Sequence, residues 1–342
     1  MTDPLSSFGP LVESRVRLVS WNVWGRYGPW ERRQPAIGTA LAACEPDVVV
    51  LLEAWSGGER DQAAELGAPL ALPHHVFAGD REVNGALSGS AVVSRWPIAE
   101  WTSQPLGDGP NGSVLRVAID GPRGPLHVFA TMLDWPPNHS HIRQEQVRAL
   151  AELVRGRDGL VVVCGDFNAP PDSDEIRMLT GRAAGCRVAW QDAWEMAGSG
   201  PGYTWSRTNP WAAATLQPER RIDYVFTTRV RTGGVGHAER AELVGTADVD
   251  GVVPSDQFGV LTELRYCADG CPTDPDTTDP DTTDPPAVPR SSRARPAPAR
   301  LRRQGALATR VAHALRLRVP GCSPICAAVA QRRRGAGHVA GI

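Results

Sequence analysis

The stretch LVVVCGDFNAPPDSDEIR, Leu160–Arg177, decides the fold. It begins with an unbroken apolar run, Leu160–Cys164, which has the length of a strand covered on both faces. The run stops at Gly165, and in an extended chain Asp166 and Asn168 then project to the same side. The sequence therefore predicts a buried strand that presents a carboxylate and an amide at its exposed end, as in a binding or catalytic site.

The residues after this strand predict a turn and a short helix. Pro170 and Pro171 cannot continue a strand ladder, because proline lacks the backbone N–H. Asp172 or Ser173 is then predicted to cap a helix over Asp174–Arg177.

The pattern of an apolar run ending in a polar residue occurs elsewhere in the chain. Val16–Trp21 is a predicted strand ending at Asn22, and Val48–Leu52 is a predicted buried strand ending at Glu53. Further polar candidates are Asp223 in the predicted strand Ile222–Phe226, and Asp256 with Gln257, which open the last predicted strand, ending at Leu264.

The remaining elements predict an α+β fold. Helices are predicted over Trp30–Cys44 and Glu59–Leu66, and strands over His74–Ala78, Ser90–Val93, Val114–Ile119 and Leu126–Leu133. The Gly/Pro-rich turn at residues 121–125 predicts a hairpin. Because strands and helices alternate imperfectly, we expect mixed sheets covered by helices and not a doubly wound parallel sheet.

A helix is predicted from Ser140, as its cap, through Arg155. Its predicted inner face consists of Ile142, Val147, Leu150 and Val154. Its predicted outer face includes Arg143, Gln144 and Gln146. If that face came near a phosphate, Arg143 would bind it as a clamp.

Charge divides the chain into segments. The formal net charge is −2, every basic residue is Arg, and the chain is acidic up to Cys267. We predict an N-terminal extension (1–15), a folded domain (16–266), a Pro/Asp/Thr-rich linker (267–288) and a disordered Arg-rich tail (289–342). A solvated extension is the favoured interpretation of the tail, and weak contact with nucleic acid or anionic lipid is the alternative.

The start of the chain lacks the basic and apolar regions of a secretory signal, and no later apolar run has membrane-spanning length. We therefore expect a cytoplasmic location and no transmembrane segment. Cys44, Cys164 and Cys186 are predicted to be reduced thiols in apolar surroundings. The Cys267–Cys271 and Cys322–Cys326 pairs share a spacing but do not complete a zinc signature.

The polar residues at the strand ends suit phosphate chemistry. Carboxylate oxygens are preferred ligands of Mg²⁺ or Mn²⁺, and such a cation stabilises the negative charge that develops when water attacks a phosphodiester. The amides of Asn22 and Asn168 can donate hydrogen bonds to phosphoryl oxygens without adding negative charge.

Five motifs in order resemble the endonuclease/exonuclease/phosphatase superfamily of DNase I-like, metal-dependent phosphoesterases. They are Ser20–Trp24 (SWNVW), Pro46–Glu53 (PDVVVLLE), Gly165–Asn168 (GDFN), Arg221–Tyr224 (RIDY) and Ser255–Gln257 (SDQ). The resemblance implies a four-layer α/β-sandwich with two central mixed, mainly antiparallel sheets. It also implies that Glu53 is the principal metal ligand, assisted by Asn22 and Asp256, and that Asp166 and Asn168 orient the nucleophile and the phosphate.

Two family imidazoles are replaced in this chain. The family's closing motif is Ser-Asp-His, in which the His contacts the phosphate and pairs with the Asp matched by Asp223; here Gln257 stands in its place. Met132 stands where many members carry another His. Because an amide does not titrate near neutral pH, Gln257 cannot act as a general base. His139 or His141 could substitute, since both follow the Met132 strand.

Simpler interpretations of single residues remain open. Asp223 could form an ion pair with Arg220 or Arg221, and Trp205 could pack in the core instead of stacking on a base or lipid.

Three functions follow. The first is a Mg²⁺- or Mn²⁺-dependent phosphodiesterase acting on nucleic acid, a nucleotide or a phospholipid headgroup. The second is a catalytically impaired binding protein of the same fold, and the third is a nucleic-acid-binding module that acts through the Arg tail.

Overall fold

The computed structural model describes residues 15–107, 109, 111–157, 159–228 and 234–266. All of them lie in one compact unit, Met1–Thr283; a second unit, Asp284–Ile342, lies outside the described residues. Residues 1–14 of the predicted extension, the predicted linker and the predicted Arg-rich tail also lie outside them.

Two β-sheets form the centre of the domain. The first consists of β1 (Arg15–Asn22), β2 (Val48–Gly57), β3 (Arg60–Asp61), β4 (His74–Val83), β5 (Ala86–Ser94), β12 (Ala238–Val244) and β13 (Gly259–Arg265), in the order β12-β13-β1-β2-β5-β4 with β3 paired to β2. The second consists of β6 (Ile98–Pro105), β7 (Ser113–Gly121), β8 (Gly124–Met132), β9 (Leu160–Asp166), β10 (Gln191–Asp192) and β11 (Asp223–Thr227), in the order β10-β11-β9-β8-β7-β6.

Helices connect the strands of the two sheets. They are α1 (Trp30–Ala42), α2 (Gln62–Gly67), α3 (Ser140–Val154), α4 (Asp174–Leu179), α5 (Ala193–Ala197) and α6 (Pro210–Ala213). One apolar cluster lies between the sheets, a second joins α1 and α2 to the first sheet, and a third joins α3 and α4 to the second sheet. The predicted four-layer sandwich is therefore confirmed.

The sheets are mixed, as predicted. The pairs β1–β2 and β8–β9 are parallel, whereas the other strand pairs described are antiparallel, including the predicted β7–β8 hairpin. The parallel pairs matter for the site because parallel strands end at the same edge of a sheet.

Several predicted elements differ from the structure. The strands β6 and β12 were not predicted; β6 is an edge strand with almost every residue exposed, so it carries no alternating apolar pattern. Between β10 and β11, Trp205 makes an isolated bridge to Arg220 outside both sheets.

The predicted faces of α3 were partly wrong. Arg143 and Gln146 are buried, and Ile142 is only partly buried. The helix begins after His139, and Ser140 does not act as a side-chain cap because its hydroxyl donates to Glu175 (2.7 Å).

Within the described residues, no helix combines the length and apolar character needed to cross a membrane. Cys44, Cys164 and Cys186 are free thiols, as predicted.

Candidate active site

The topology brings the polar strand ends together. The register aligns Asn22 with Leu52 on parallel strands of the first sheet, and Met132 with Asp166 on parallel strands of the second. The antiparallel strand β11 begins at Asp223, directly opposite Asp166. Residues from five distant segments of the chain therefore meet at one edge of the sandwich.

Asn22 joins the two sheets at this edge. Its Nδ2 donates to Glu53 Oε1 (3.1 Å) and to Asp166 Oδ2 (3.0 Å), and its Oδ1 accepts from the Trp24 backbone N–H (3.0 Å). The amide is 1% exposed. Asn22 was predicted as a metal ligand, and in this geometry its amide nitrogen bridges two carboxylates while its Oδ1, with one of two lone pairs used by Trp24, can still face a cation.

Glu53 lies at a bulge inside β2 and not at the end of the strand, where the sequence predicted it. The β2–β5 register shifts between Leu51 and Ala54, and Glu53 has a φ of 53°. A β-bulge redirects a side chain out of the regular alternation, and a left-handed backbone at a non-glycine residue is a feature of functional sites. The bulge therefore turns the Glu53 carboxylate toward Asp166.

Gly165 allows Asp166 to reach the site. Its φ is 138°, and a Cβ at this position would lie 1.9 Å from the Thr131 carbonyl oxygen, so no larger residue fits. Beyond it, the Asn168 backbone N–H donates to Asp166 Oδ1 (2.9 Å), and Asn168 Nδ2 donates to the Leu133 carbonyl (3.0 Å). Asn168 thus orients Asp166 and ties it to the end of β8.

Gln257 contacts the same carboxylate. Its Nε2 donates to Asp166 Oδ2 (3.0 Å), and its backbone carbonyl accepts from Trp21 Nε1 (2.8 Å). Its Oε1 is buried and, among the described residues, has no hydrogen-bond partner. Where the family has an imidazole, this chain therefore has an amide whose donor holds Asp166 and whose acceptor is unused.

Asp223 is buried, and within the described residues its carboxylate has no ion-pair partner. It is 1% exposed, and within the described ranges neither carboxylate oxygen has a hydrogen-bond partner. The predicted ion pair with Arg220 or Arg221 is not formed, because Arg221 pairs with Asp192 (2.5 Å) and Arg220 donates to Gln217 (2.6 Å). The simple structural explanation for Asp223 is therefore wrong.

Four carboxylates share the site, and each has a raised pKa. Burial raises the pKa of Glu53 and Asp166, and the Asp166 charge raises that of Glu53 further. Burial and the neighbouring carboxylates hold the pKa values of Asp223 and Asp256 well above their ordinary range. Because these carboxylates repel one another when ionised, a cation bound between them would stabilise their charged forms.

The donor set fits a hard divalent cation. In the part of the chain that the structure describes, no group of three or more His, Cys, Asp or Glu side chains could by itself hold a metal ion. Mg²⁺, however, is usually held by one or two carboxylates together with water and phosphate oxygens. Glu53 and Asp256, both partly exposed at the site, are the residues that suit this role.

Arg143 does not act as the predicted phosphate clamp. It is 3% exposed; its Nε donates to Glu175 (2.6 Å) and its Nη1 donates to the carbonyls of Asp134 (3.1 Å) and Pro136 (2.8 Å). Because these donors are used, Arg143 braces the loop between β8 and α3.

His139 lies in that loop and is oriented by a buried acid. Its Nδ1 is 2.5 Å from Asp134 Oδ2, and Asp134 is fully buried while the His139 side chain is 29% exposed. Asn111 donates to the other Asp134 oxygen (2.7 Å). An imidazole held by a buried carboxylate is the arrangement used for general bases.

Arg33 supports the site through backbone contacts, and the sequence interpretation missed it. It is 1% exposed, and its guanidinium donates to the carbonyls of Val23 (2.9 Å) and Pro254 (2.8 Å), which lie next to Asn22 and close to Asp256. It also donates to the carbonyls of Trp24, Gly25 and Tyr27. A signal was present, since Arg33 precedes Ile37 and Leu41 at helical spacing on the buried face of α1.

The buried acids predict a pH-dependent stability in metal-free protein. Since the folded pKa of Asp223 is raised above 3.8, its stabilising protonated form is fully present below that value and is lost as pH rises through the folded pKa. We expect Asp223→Asn to raise the free energy of unfolding by about 1–3 kcal/mol relative to wild type near pH 7 in EDTA. The difference should vanish near pH 3, at which both states bind the proton. Thermal melts across this range test the expectation, and parallel profiles for the two proteins would contradict it.

The fold and the site define a family. The sequence model of the Endonuclease/Exonuclease/phosphatase family matches residues 19–257, which include every strand end at the site. This match covers well over half of the chain, and the chain belongs to that family.

Similar proteins support this assignment. The inositol phosphosphingolipids phospholipase C of Schizosaccharomyces pombe is 27% identical over 189 residues, which are 48% of this chain and 44% of that protein. This chain therefore matches less than half the length of that relative.

Solved structures share the fold. An endonuclease/exonuclease/phosphatase from Beutenbergia cavernae is 25% identical, with a TM-score of 0.59 over 75% of this chain and 72% of that chain. The TDP2 of D. rerio, complexed with a single-strand DNA product, is 20% identical, with a TM-score of 0.58 over 74% of this chain and 100% of that chain.

Proposed function

We propose that this chain is a Mg²⁺- or Mn²⁺-dependent phosphodiesterase. The observation that carries the proposal is the single hydrogen-bonded group in which the Asn22 amide bridges Glu53 and Asp166 across the two sheets. The phospholipase C and TDP2 relatives are consistent with a phosphodiester substrate, either a phospholipid headgroup or nucleic acid.

Each residue of the site has a separate role in the proposed hydrolysis. Glu53 and Asp256 would hold the cation, which supplies stabilisation of the charge developing on the phosphoryl oxygens and lowers the pKa of the attacking water. Asp166, held by Asn22, Asn168 and Gln257, would orient that water and accept its proton. Its raised pKa suits a proton acceptor, because the ordinary pKa of a carboxyl is far below neutrality.

Hydrolysis of bis-p-nitrophenyl phosphate tests the proposal. Release of nitrophenol should require Mg²⁺ or Mn²⁺, stop on addition of EDTA and return with excess cation. Turnover that is unchanged by EDTA would contradict the metal dependence. A panel of sphingomyelin, inositol phosphosphingolipid, single-stranded DNA and nucleotides would then identify the natural class.

His139 is proposed to supply the missing imidazole. The Leu133 carbonyl accepts a hydrogen bond from Asn168, and the next residue, Asp134, holds His139. The loop that carries His139 therefore starts at the site. We expect His139→Ala to lower kcat about 100- to 10,000-fold, the typical contribution of a general acid or base. His141→Ala is the matched control, and equal rates in the two variants would dismiss the role of His139.

The alternative function is a catalytically impaired binding protein, which the replacement of the family imidazole by Gln257 favours. Gln257→His discriminates the two, because it restores a titratable group beside Asp166, at the position where the family has its His. If the natural protein is already competent, we expect the variant to change the rate by less than about tenfold. Strong activity arising from none would instead identify the natural chain as an impaired member.

A further inference from the structure

One guanidinium beside the site has no carboxylate partner among the residues that the structure describes, although it donates to Gln217 and lies near the Trp205 ring. The donors of Arg33 and Arg143 bind backbone carbonyls or Glu175, and Arg221 forms an ion pair with Asp192. Arg221 also has a buried Nε without a hydrogen-bond partner among the described residues, but its charge is paired with Asp192, whereas Arg220 has no carboxylate partner in the same ranges. The Nη2 of Arg220 donates to Gln217, but its Nε is buried and has no hydrogen-bond partner among the residues that the structure describes.

Trp205 presents a second unused donor next to Arg220. The backbone N–H of each residue donates to the carbonyl of the other, both at 2.9 Å, so the two lie directly opposite in an antiparallel bridge. Side chains of opposite residues project to the same face. The Arg220 guanidinium lies 6.0 Å from the Trp205 ring, and the indole N–H is also buried without a partner in the described part of the chain.

This pair borders the acid cluster. Arg220 is three residues before Asp223, and the Thr204 hydroxyl beside Trp205 accepts the backbone N–H of Asp223 (3.2 Å). The Asp166 charge opposes the lowering of the Arg220 pKa that burial causes, which indicates that the two charges interact. Two unpaired donors and a positive charge at the edge of a cation site suit an anion.

We propose that Arg220 Nε–H and Trp205 Nε1–H together bind a non-bridging oxygen of the substrate phosphate. This inference rests on the proposed function, and it gives Arg220 the role that the sequence predicted for Arg143. A phosphate oxygen would satisfy both buried donors, and hydrogen bonds from a guanidinium to phosphate are among the strongest in proteins. Arg220 would thereby supply positive charge at a site that lacks the family's two imidazoles.

Calorimetric titration of the Mg²⁺-loaded protein with inorganic phosphate tests the inference without a turnover assay. We expect Arg220→Met to weaken phosphate binding about 10- to 100-fold and Trp205→Phe, which keeps the ring but removes the N–H, to weaken it about tenfold. Arg220→Lys should recover only part of the loss. Arg148→Met, which removes an exposed charge from α3, should bind like wild type.

The outcomes separate the inference from the proposed function. Three results would overturn the proposed phosphate clamp of Arg220 and Trp205. They are unchanged phosphate binding in Arg220→Met or in Trp205→Phe, full recovery of binding in Arg220→Lys, and no phosphate binding by wild type. If phosphate binding depends on Arg220 while no diester is hydrolysed, the proposed function fails and the clamp stands. Thermal melts of each variant confirm that the protein is folded before phosphate is titrated.

Discussion

Glu53→Gln is expected to lower metal-dependent turnover of a phosphodiester by about a thousandfold or more. Electrostatic stabilisation by a bound cation contributes several kcal/mol to such a transition state, and each 1.36 kcal/mol is about a factor of ten in rate. The amide keeps the size of the side chain and can still contact Asn22, so the loss reports the charge and not the packing.

The same change should stabilise the metal-free protein. Because Glu53 raises the pKa values of Asp256 and Asp223 through repulsion, removing its charge relieves that repulsion. If Glu53 is a metal ligand, Glu53→Gln should lose activity, melt at a higher temperature than wild type in EDTA, and gain less melting temperature when Mg²⁺ is added. A residue with only a structural role would not give this combination.

Glu59→Gln is the matched control for this variant. Glu59 is exposed in the turn after β2, so the identical chemical change should leave both turnover and melting temperature unchanged. Turnover by Glu53→Gln within a factor of a few of the Glu59→Gln rate would exclude Glu53 from the chemistry.

Arg33→Met is expected to lower the free energy of unfolding by about 3–5 kcal/mol. The change leaves buried carbonyls of Val23, Gly25 and Pro254 without their donor, and each unpaired buried polar group costs about 1–3 kcal/mol. Burial lowers the Arg33 pKa to about 10, with partial opposition from Asp256 and Glu53, so the side chain still carries its charge near neutral pH.

Arg33 also fixes the geometry of the site. Val23 follows Asn22 and Pro254 lies two residues before Asp256, so one guanidinium holds both segments in place. Urea unfolding of Arg33→Met and of its exposed neighbour Arg32→Met measures the difference in free energy of unfolding. We expect the Arg32 variant to match wild type within about 0.5 kcal/mol. Equal stability of the two variants would show that the carbonyls find other partners.

The site carboxylates were predictable because their signal is local. Leu160–Cys164 and Val48–Leu52 are apolar runs of strand length, and a carboxylate one or two residues after such a run must be solvated, paired or liganded. The strand ends themselves thus indicated Asp166 and Glu53, and the order of the five motifs indicated the family.

The bulge at Glu53 and the edge strand β6 were not predictable in the same way. A bulge depends on how β2 pairs with β5, and these two strands are far apart in the sequence. The β6 strand is exposed along almost its whole length, so its strand conformation comes from pairing with β7 and not from its own apolar pattern.

The roles of the arginines depended entirely on tertiary contacts. Arg33, Arg143 and Arg220 are chemically identical, and a sequence offers no measure of which guanidinium will be consumed by carbonyls. In the structure Arg33 and Arg143 donate to backbone carbonyls, whereas the Nε of Arg220 is buried and has no partner among the described residues. A long flexible side chain can bury its stem and use its head in several ways, and only its neighbours decide among them.

The sequence by itself determined the family, the layered α+β architecture and the acidic and amide residues of the site, because strand periodicity and polar strand ends are properties of short segments. Only the tertiary structure decided that Asn22 bridges Glu53 and Asp166, that Asp223 is left unpaired, and that Arg143 is a brace. The physical reason is that hydrogen bonding and burial of a polar side chain are set by residues far away in the chain, which come together only when the two sheets pack.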